Sequence, residues 1–186
     1  MVYEPQEDSY LLLKHVKKLA YGKVIDIGTG SGIVAEGAAK NPGVKKVYAV
    51  DIDEEAISQL RKKKIDKVKA FKSNLFASVS EKFDVIIFNP PYLPSEEKDE
   101  DVALDGGRQG YELINKFLKQ AKNHLIAGGF ILMVFSNRTG KEKVDESIKA
   151  EGYDYELLEK KSLAFFEELY AYKVLLSGRR SSALNH

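Results

Sequence analysis

The sequence predicts an α/β fold, a doubly wound and mainly parallel sheet of seven strands in which the last strand runs antiparallel. Short β-branched runs alternate with amphipathic helical segments along most of the chain, as in successive βαβ units with right-handed crossovers. The run Val85-Ile86-Ile87-Phe88 is continuously apolar, as expected for a parallel strand covered on both faces. The two final runs leave no room for a helix between them, so we expect them to pair antiparallel.

The first element is a predicted helix over residues 7–19, because its apolar side chains recur at helical spacing and its first turn is acidic. The strands predicted, in order, are KVIDIG, VKKVYAVD, KVKAFK, FDVIIFN, GGFILMVFS, YDYELLEKK and ELYAYKVLL. The helices between them are SGIVAEGAAKN, DEEAISQLRKK, YELINKFLKQAKNHL and KEKVDESIKAEG. The third strand is the weakest, and its lysines at positions 67, 69 and 72 are typical of a protected sheet edge.

Length and composition restrict the function classes. The 186 residues suit one domain, which we expect over residues 1–178, followed by a polar tail at 179–186. A formal net charge of +1 disfavours a general nucleic-acid-binding field. The absence of cysteine excludes thiolate catalysis and cysteine-ligated zinc, and the three histidines lack metal-ligand spacing, so we expect no metal. No apolar run approaches the ~20 residues of a membrane span, and the acidic start is unlike a signal peptide, so we expect a cytoplasmic protein.

A glycine-rich turn follows the first predicted strand. The segment VIDIGTGSG places Asp26 near the strand end and Gly28, Gly30 and Gly32 in the turn, where glycine permits positive φ and close approach of a ligand. A dinucleotide fingerprint would need glycine where Ile33 stands, and no Gly-Lys-Ser/Thr follows for a triphosphate loop. The alternative is a tight strand–helix turn without a ligand.

An acid ends the second predicted strand. Asp51 lies 23 positions after Gly28, and a carboxylate at that point of a doubly wound sheet can accept both ribose hydroxyl protons of a nucleoside. The alternative is an acid that caps the next helix. The combination favours a nucleoside-containing ligand bound beyond the carboxyl ends of the strands.

The fourth predicted strand ends on Asn89-Pro90-Pro91-Tyr92. The Asn89 side-chain oxygen and the Pro90 carbonyl can accept the two hydrogens of a planar NH2 group, and neither proline has an N–H that competes. Two fixed acceptors polarise the nitrogen and favour the pyramidal geometry in which it can act as a nucleophile, while Tyr92 offers a flat face to a planar group. The alternative is a Pro-Pro loop terminator with a buried tyrosine.

The glycine turn, the acid and the two helix-free final strands resemble class I S-adenosylmethionine-dependent methyltransferases. The resemblance implies S-adenosyl-L-methionine as the cofactor. The Asn-Pro-Pro-Tyr motif is shared by enzymes that methylate adenine N6, guanine N2 or the side-chain amide of glutamine, so other segments must distinguish between these substrates.

The opening VYEPQEDSYLLL closely resembles HemK-type protein-glutamine N5-methyltransferases, in the branch that acts on class I release factors of archaea and eukaryotes. The resemblance extends through DIGTGSG, VDID, SNLF, FNPPYLP and LDGGRQG. It implies N5-methylation of the glutamine in the Gly-Gly-Gln motif of a class I peptide chain release factor. The segment Asn74-Leu75 stands at the adenine-contacting position, where the family usually has Asp-Leu.

Motifs and resemblance together give the candidate site residues. The catalytic candidates are Asn89, Pro90, Pro91 and Tyr92. The cofactor candidates are Pro5, Glu7, Asp8, Ser9, Asp26, Gly28, Thr29, Gly30, Gly32, Asp51, Ile52, Asn74, Leu75 and Asn89. The substrate candidates are Asn89, Pro90, Tyr92, Asp105, Gly106 and Gly107.

Two rival functions remain open, an adenine-N6 or guanine-N2 methyltransferase of DNA or RNA and an inactive cofactor-binding scaffold. The acidic residues between positions 96 and 101 would repel a nucleic-acid backbone, so a nucleic acid is the less favoured partner. The resemblance also implies a small zinc-binding activator subunit, which in some members of the family docks on the sheet edge; we expect the third strand to be that edge here. Phe165 and Phe166 fall in the turn between the last two strands, where we expect them to pack.

Overall fold

The computed structural model describes residues 5–91 and 110–178. The helices in this part are α1 (Glu7–Leu19), α2 (Ile33–Ala39), α3 (Glu54–Lys62), α4 (Tyr111–His124) and α5 (Lys141–Ala150). The strands are β1 (Gly22–Ile27), β2 (Val44–Asp51), β3 (Val68–Lys72), β4 (Phe83–Phe88), β5 (Leu125–Ser136), β6 (Tyr153–Ser162) and β7 (Glu168–Leu176). No helix in the described ranges has the length and apolar character needed to cross a membrane.

The seven strands form one sheet in the order β3-β2-β1-β4-β5-β7-β6. Strands β1 to β5 pair in parallel, whereas β7 is antiparallel to both of its neighbours, β5 and β6. The predicted doubly wound, mainly parallel sheet with an antiparallel last strand is therefore confirmed, and β3 lies at the edge as expected. The strand order reverses between β1 and β4, which is where open α/β sheets bind their ligands.

Alternate residues of the central strands enter two separate apolar cores. Val85 and Ile87 of β4 belong to the core beneath α1, α2 and α3, whereas Ile86 and Phe88 belong to the core beneath α4 and α5. The Phe88 ring stacks on Phe117 of α4 with ring centroids 4.0 Å apart. Because both faces of β4 are covered along Val85–Phe88, this run is continuously apolar, as the pattern predicted.

Strand β5 begins three residues earlier than the sequence predicted. The pattern extended the helix through Leu125 and started the strand at Gly128, but Leu125 already pairs with Phe83 and the register then shifts before Val85 meets Phe130. A Cβ on Gly129 would lie 2.9 Å from the Asp84 carbonyl oxygen. The two glycines therefore accommodate an irregularity inside the strand rather than marking its start.

Candidate active site

The candidate site lies along the edge where parallel strands β1 to β4 have their carboxyl ends. The glycine turn follows β1, Asp51 ends β2, Asn74 follows β3 and Asn89 follows β4. Since β1 pairs in parallel with both β2 and β4, these segments lie side by side. The fold thus brings together motifs that lie far apart in the sequence. Tyr92, Asp105, Gly106 and Gly107 were also predicted for the site, but they lie outside the described residues.

The glycine turn is anchored on the end of β2. The backbone N–H groups of Gly28 and Thr29 donate to the Val50 carbonyl oxygen at 2.8 and 3.0 Å. Gly28 has φ +69°, and a Cβ placed there would have no heavy atom within 4 Å. At Gly32, with φ +78°, a Cβ would lie 2.5 Å from Leu60 Cδ1. Gly28 therefore borders open space, whereas Gly32 allows the turn to pack closely on α3.

Asp51 connects the glycine turn to the start of α3. Its Oδ2 accepts from the Gly30 N–H at 2.8 Å, and its Oδ1 accepts from the Asp53 N–H at 3.0 Å. The side chain is half-buried. Because each carboxylate oxygen has two lone pairs, the group retains acceptor capacity for the hydroxyls of a ribose while its position is fixed by two backbone donors.

Asp26 lies beneath the turn, with 2% of its surface exposed. Its Oδ2 accepts a hydrogen bond from Thr29 Oγ1 at 2.7 Å. Burial raises the pKa of Asp26 to about 7; the Thr29 hydrogen bond opposes this rise and the charge of Asp51 adds to it. These contacts show that Asp26 and Thr29 support the turn from inside the protein.

The segments after β2 and β3 present an apolar and a polar group at the same edge. Asn74 is exposed, and Ile52, directly after Asp51, is 62% exposed. Leu75, by contrast, is buried in the core with φ +48°. The turn is held by Ser73, whose hydroxyl donates to the Leu75 carbonyl oxygen at 2.8 Å and whose N–H donates to the Asp51 carbonyl oxygen at 2.9 Å. Ser73 was not among the predicted site residues, although it directly precedes Asn74 in the sequence.

Asn89 is held by the first turn of α1. Its Nδ2 donates to Asp8 Oδ2 at 3.0 Å and lies 3.5 Å from Ser9 Oγ. Asp8 Oδ1 in turn accepts from the Ser9 N–H at 2.6 Å, and both residues are buried. Because the amide nitrogen of Asn89 points toward the Asp8 carboxylate, its amide oxygen points away from Asp8. After it, Pro90 is buried and Pro91 is exposed.

The two acidic residues in the first turn of α1 make different contacts. Asp8 contacts Asn89, whereas Glu7 forms an ion pair with Lys161 of β6. Pro5 precedes the helix and is half-buried. Pro5, Glu7, Asp8 and Ser9 were all predicted as residues of the cofactor site. The structure places Asp8 and Ser9 directly on the proposed catalytic amide.

A mainly parallel sheet in the order 3-2-1-4-5-7-6, with this site at its switch point, defines the class I S-adenosylmethionine-dependent methyltransferases. The described residues fit this cofactor. The space in front of Gly28 is open to a ligand, the Asp51 carboxylate suits two ribose hydroxyls, and the exposed Ile52 side chain suits the face of a purine base.

Comparison with known proteins identifies the family. Residues 4–162 match "MTS: Methyltransferase small domain". A Methanocaldococcus jannaschii protein, provisionally named a protein N5-glutamine methyltransferase, is 37% identical over 174 residues, covering 89% of this chain and 88% of that one. Human Methyltransferase HEMK2 is 30% identical over 169 residues, covering 81% and 79%. A chain of the E. cuniculi Mtq2–Trm112 complex, responsible for methylation of the eRF1 translation termination factor, aligns with a TM-score of 0.74 at 24% identity, covering 95% and 99%.

The chain belongs to the HemK family of protein-glutamine N5-methyltransferases, which use S-adenosylmethionine. The resemblance stated from the opening segment and the Asn-Pro-Pro-Tyr motif is thereby confirmed at the level of the family.

Proposed function

We propose that the protein methylates N5 of the glutamine in the Gly-Gly-Gln motif of a class I peptide chain release factor. The observation that carries the proposal is the Asn89 amide, whose nitrogen donates to the buried Asp8 carboxylate at 3.0 Å. This bond directs the amide nitrogen toward Asp8, which supports the oxygen as the acceptor for a substrate NH2 group.

The bound cofactor supplies an electrophilic methyl group, and the glutamine of the substrate supplies the nitrogen that must act as the nucleophile. An amide nitrogen is a poor nucleophile because its lone pair is delocalised into the carbonyl group. The Asn89 oxygen and the Pro90 carbonyl oxygen each accept one hydrogen of the glutamine NH2. Held in this way, the nitrogen is polarised and oriented for attack. Pro90 is buried and Asn89 is half-buried, so these residues are partly shielded from water, which strengthens hydrogen bonds.

The choice of a release factor is supported by the relatives. The structurally similar E. cuniculi complex is responsible for methylation of eRF1. The M. jannaschii relative is named as a protein N5-glutamine methyltransferase, and this chain aligns with 88% of its length. A glutamine next to two glycines is narrow enough to reach the Asn89 and Pro90 acceptors. The predicted contributions of Tyr92 and Asp105–Gly107 to the substrate groove belong to the same proposal.

Methyl transfer from radiolabelled S-adenosylmethionine tests this function. The substrates are a class I release factor of the archaeal and eukaryotic type, the same protein with the motif glutamine replaced by asparagine, and matched RNA and DNA. We expect labelling of the release factor alone and no labelling of the asparagine variant. Labelling of RNA or DNA would favour the adenine-N6 or guanine-N2 alternative. Binding of the cofactor without transfer to any of them would favour the scaffold.

We further propose that a small zinc-binding activator subunit docks on β3. This strand is the sheet edge, and on it Phe71 is half-buried against Tyr48, with ring centroids 6.1 Å apart. The similar E. cuniculi structure is a complex with Trm112. Co-expression with a small zinc-binding protein, followed by size-exclusion chromatography of the wild type and Phe71→Glu, tests this assignment. A complex that the Glu variant still forms would contradict it.

A further inference from the structure

The most exposed large apolar side chains described in the protein are Phe165 and Phe166, in the turn between β6 and β7. They are 89% and 97% exposed, so the expectation that they pack in the turn is wrong. Both have φ +58°, a left-handed conformation that is unfavourable for a residue with a large side chain. Two phenylalanines are therefore exposed to solvent, although both the contact of apolar rings with water and the backbone conformation are unfavourable.

This turn lies at the same edge of the sheet as Asn89. Phe88 pairs with Met133 of β5, and Ser136, three residues further along β5, pairs with Leu169 of β7. Strand spacings of ~4.8 Å and rises of ~3.3 Å per residue place Leu169 about 10 Å to the side of Asn89 and about 7 Å beyond it, and the turn directly precedes Leu169. The phenylalanines thus stand on the rim of the site, where the body of a large substrate would rest.

The end of β5 holds the turn in a defined position. Asn137 Nδ2 donates to the Phe166 carbonyl oxygen at 3.0 Å, and Asn137 Oδ1 accepts from the Glu168 N–H at 3.0 Å. Ser136 Oγ donates to Glu167 Oε1 at 2.9 Å. The turn also borders a cavity of about 370 Å³, which is lined by Ser162, Leu163, Phe165, Phe166, Glu167 and Glu168. The backbone that carries the two rings is therefore held in place by the end of β5.

The charges around the turn favour a protein surface over a nucleic acid. Within residues 5–91 and 110–178, three cations beside the turn are each engaged with a carboxylate: Arg138 with Glu167 at 3.3 Å, Lys160 with Glu168 at 2.6 Å, and Lys161 with Glu7. Binding of single-stranded nucleic acid by aromatic side chains combines base stacking with cations that contact the phosphates. Exposed rings whose described neighbouring cations are paired with carboxylates instead suit an apolar patch of a protein partner.

We propose that Phe165 and Phe166 form a docking surface for the protein substrate. The part of the substrate that binds there is the folded domain that carries the methyl-accepting glutamine. The inference rests on the proposed function. The Asn89 and Pro90 acceptors bind the narrow NH2 group, and the two rings bind the body of the same protein on the rim. The surface contributes affinity for the intact substrate and leaves the chemistry at the nitrogen to the site.

The test compares the intact release factor with a short peptide that contains its Gly-Gly-Gln motif. The variant is Phe165→Asn with Phe166→Asn, because asparagine tolerates the left-handed conformation; the double glycine replacement at the same positions serves as a second variant. We expect KM for the intact protein to rise at least tenfold with kcat little changed. For the peptide, which is too short to reach the rim, kcat/KM should change less than twofold. Leu157→Thr, at a 49% exposed apolar residue of β6, is the matched control and should leave both values unchanged.

Two outcomes overturn the inference while the proposed function stands. One is an unchanged KM for the intact release factor in both double variants, and the other is an equal loss on protein and peptide. Failure of the wild-type enzyme to methylate any release factor overturns the proposed function and this inference together. If the double variants lost only methylation of RNA, the two phenylalanines would be assigned to nucleic-acid binding and the inference would be overturned.

Discussion

Asp8 and Asn89 are 81 positions apart in the sequence and are joined by a hydrogen bond of 3.0 Å from the asparagine Nδ2 to the aspartate Oδ2. The bond links the first turn of α1 to the end of β4. Because Asp8 is buried, its carboxylate requires donors, and Asn89 Nδ2 is one of them. The orientation of the amide is therefore determined by the packing of α1 and not by Asn89 alone.

Replacement of Asn89 by alanine should nearly abolish methyl transfer. The substrate NH2 group loses one of its two acceptors, and losses of at least about 100-fold in kcat are typical when one preorganised polar partner of a transition state is removed. Cofactor affinity should change by no more than about threefold, which corresponds to less than 1 kcal/mol. Single-turnover transfer assays and calorimetric titration measure the two quantities. Asn123→Ala, at an exposed asparagine of α4, is the control, and full turnover in Asn89→Ala would contradict the mechanism.

Replacement of Asp8 by alanine should reduce kcat through its effect on Asn89. The variant removes a hydrogen bond to a charged partner, worth about 1.5–3 kcal/mol, and lets the amide rotate. A double-mutant cycle separates this role from a merely structural one. If Asp8 acts by positioning the amide, Asp8→Ala should lower kcat in the wild-type background and have little further effect on kcat in Asn89→Ala. Additive losses would show that Asp8 acts elsewhere. Asp154→Asn, at an exposed carboxylate of β6, is the control.

The sequence predicted the parts of the site that follow from local patterns. The glycine turn, Asp51 and Asn89 each follow a strand, and parallel strands bring their carboxyl ends to one edge. The contact of Asp8 with Asn89 could not be predicted, because it depends on how α1 packs across the sheet. The exposure of Phe165 and Phe166 was mispredicted for a related reason: apolar residues in a turn pack only if the turn folds back on the core, and here positive φ values direct the turn outward.

Replacement of Asp51 by alanine should weaken cofactor binding at least about tenfold, or 1.4 kcal/mol, because two ribose hydroxyls lose their acceptor. The variant also removes the acceptor of the Gly30 and Asp53 N–H groups, which could disturb the turn. Two ligands that differ in one ribose hydroxyl are therefore compared. A 2′-deoxy analogue of S-adenosylhomocysteine already lacks one hydroxyl and should lose less affinity on mutation than the parent ligand. Calorimetry measures both affinities. Asp84→Asn, which alters a carboxylate bonded to the Lys23 N–H at the opposite edge, should change neither, and unchanged binding in Asp51→Ala would contradict the ribose contact.

Asp26 should make the protein less stable as the pH rises towards neutrality. Burial raises its pKa from 3.8 in the unfolded chain to about 7 in the folded protein, so below about pH 4 the group is protonated in both states and has no effect. Between about pH 4 and 7 the unfolded chain releases this proton while the folded protein keeps it, which favours unfolding by up to the order of 4 kcal/mol. Above pH 7 the effect is constant. The melting temperature of Asp26→Asn should therefore depend less on pH than that of the wild type over this interval, as differential scanning calorimetry from pH 5 to 8 would measure. Asp66→Asn, at an exposed carboxylate, should retain the wild-type slope, and parallel profiles for wild type and Asp26→Asn would show that Asp26 does not titrate in this range.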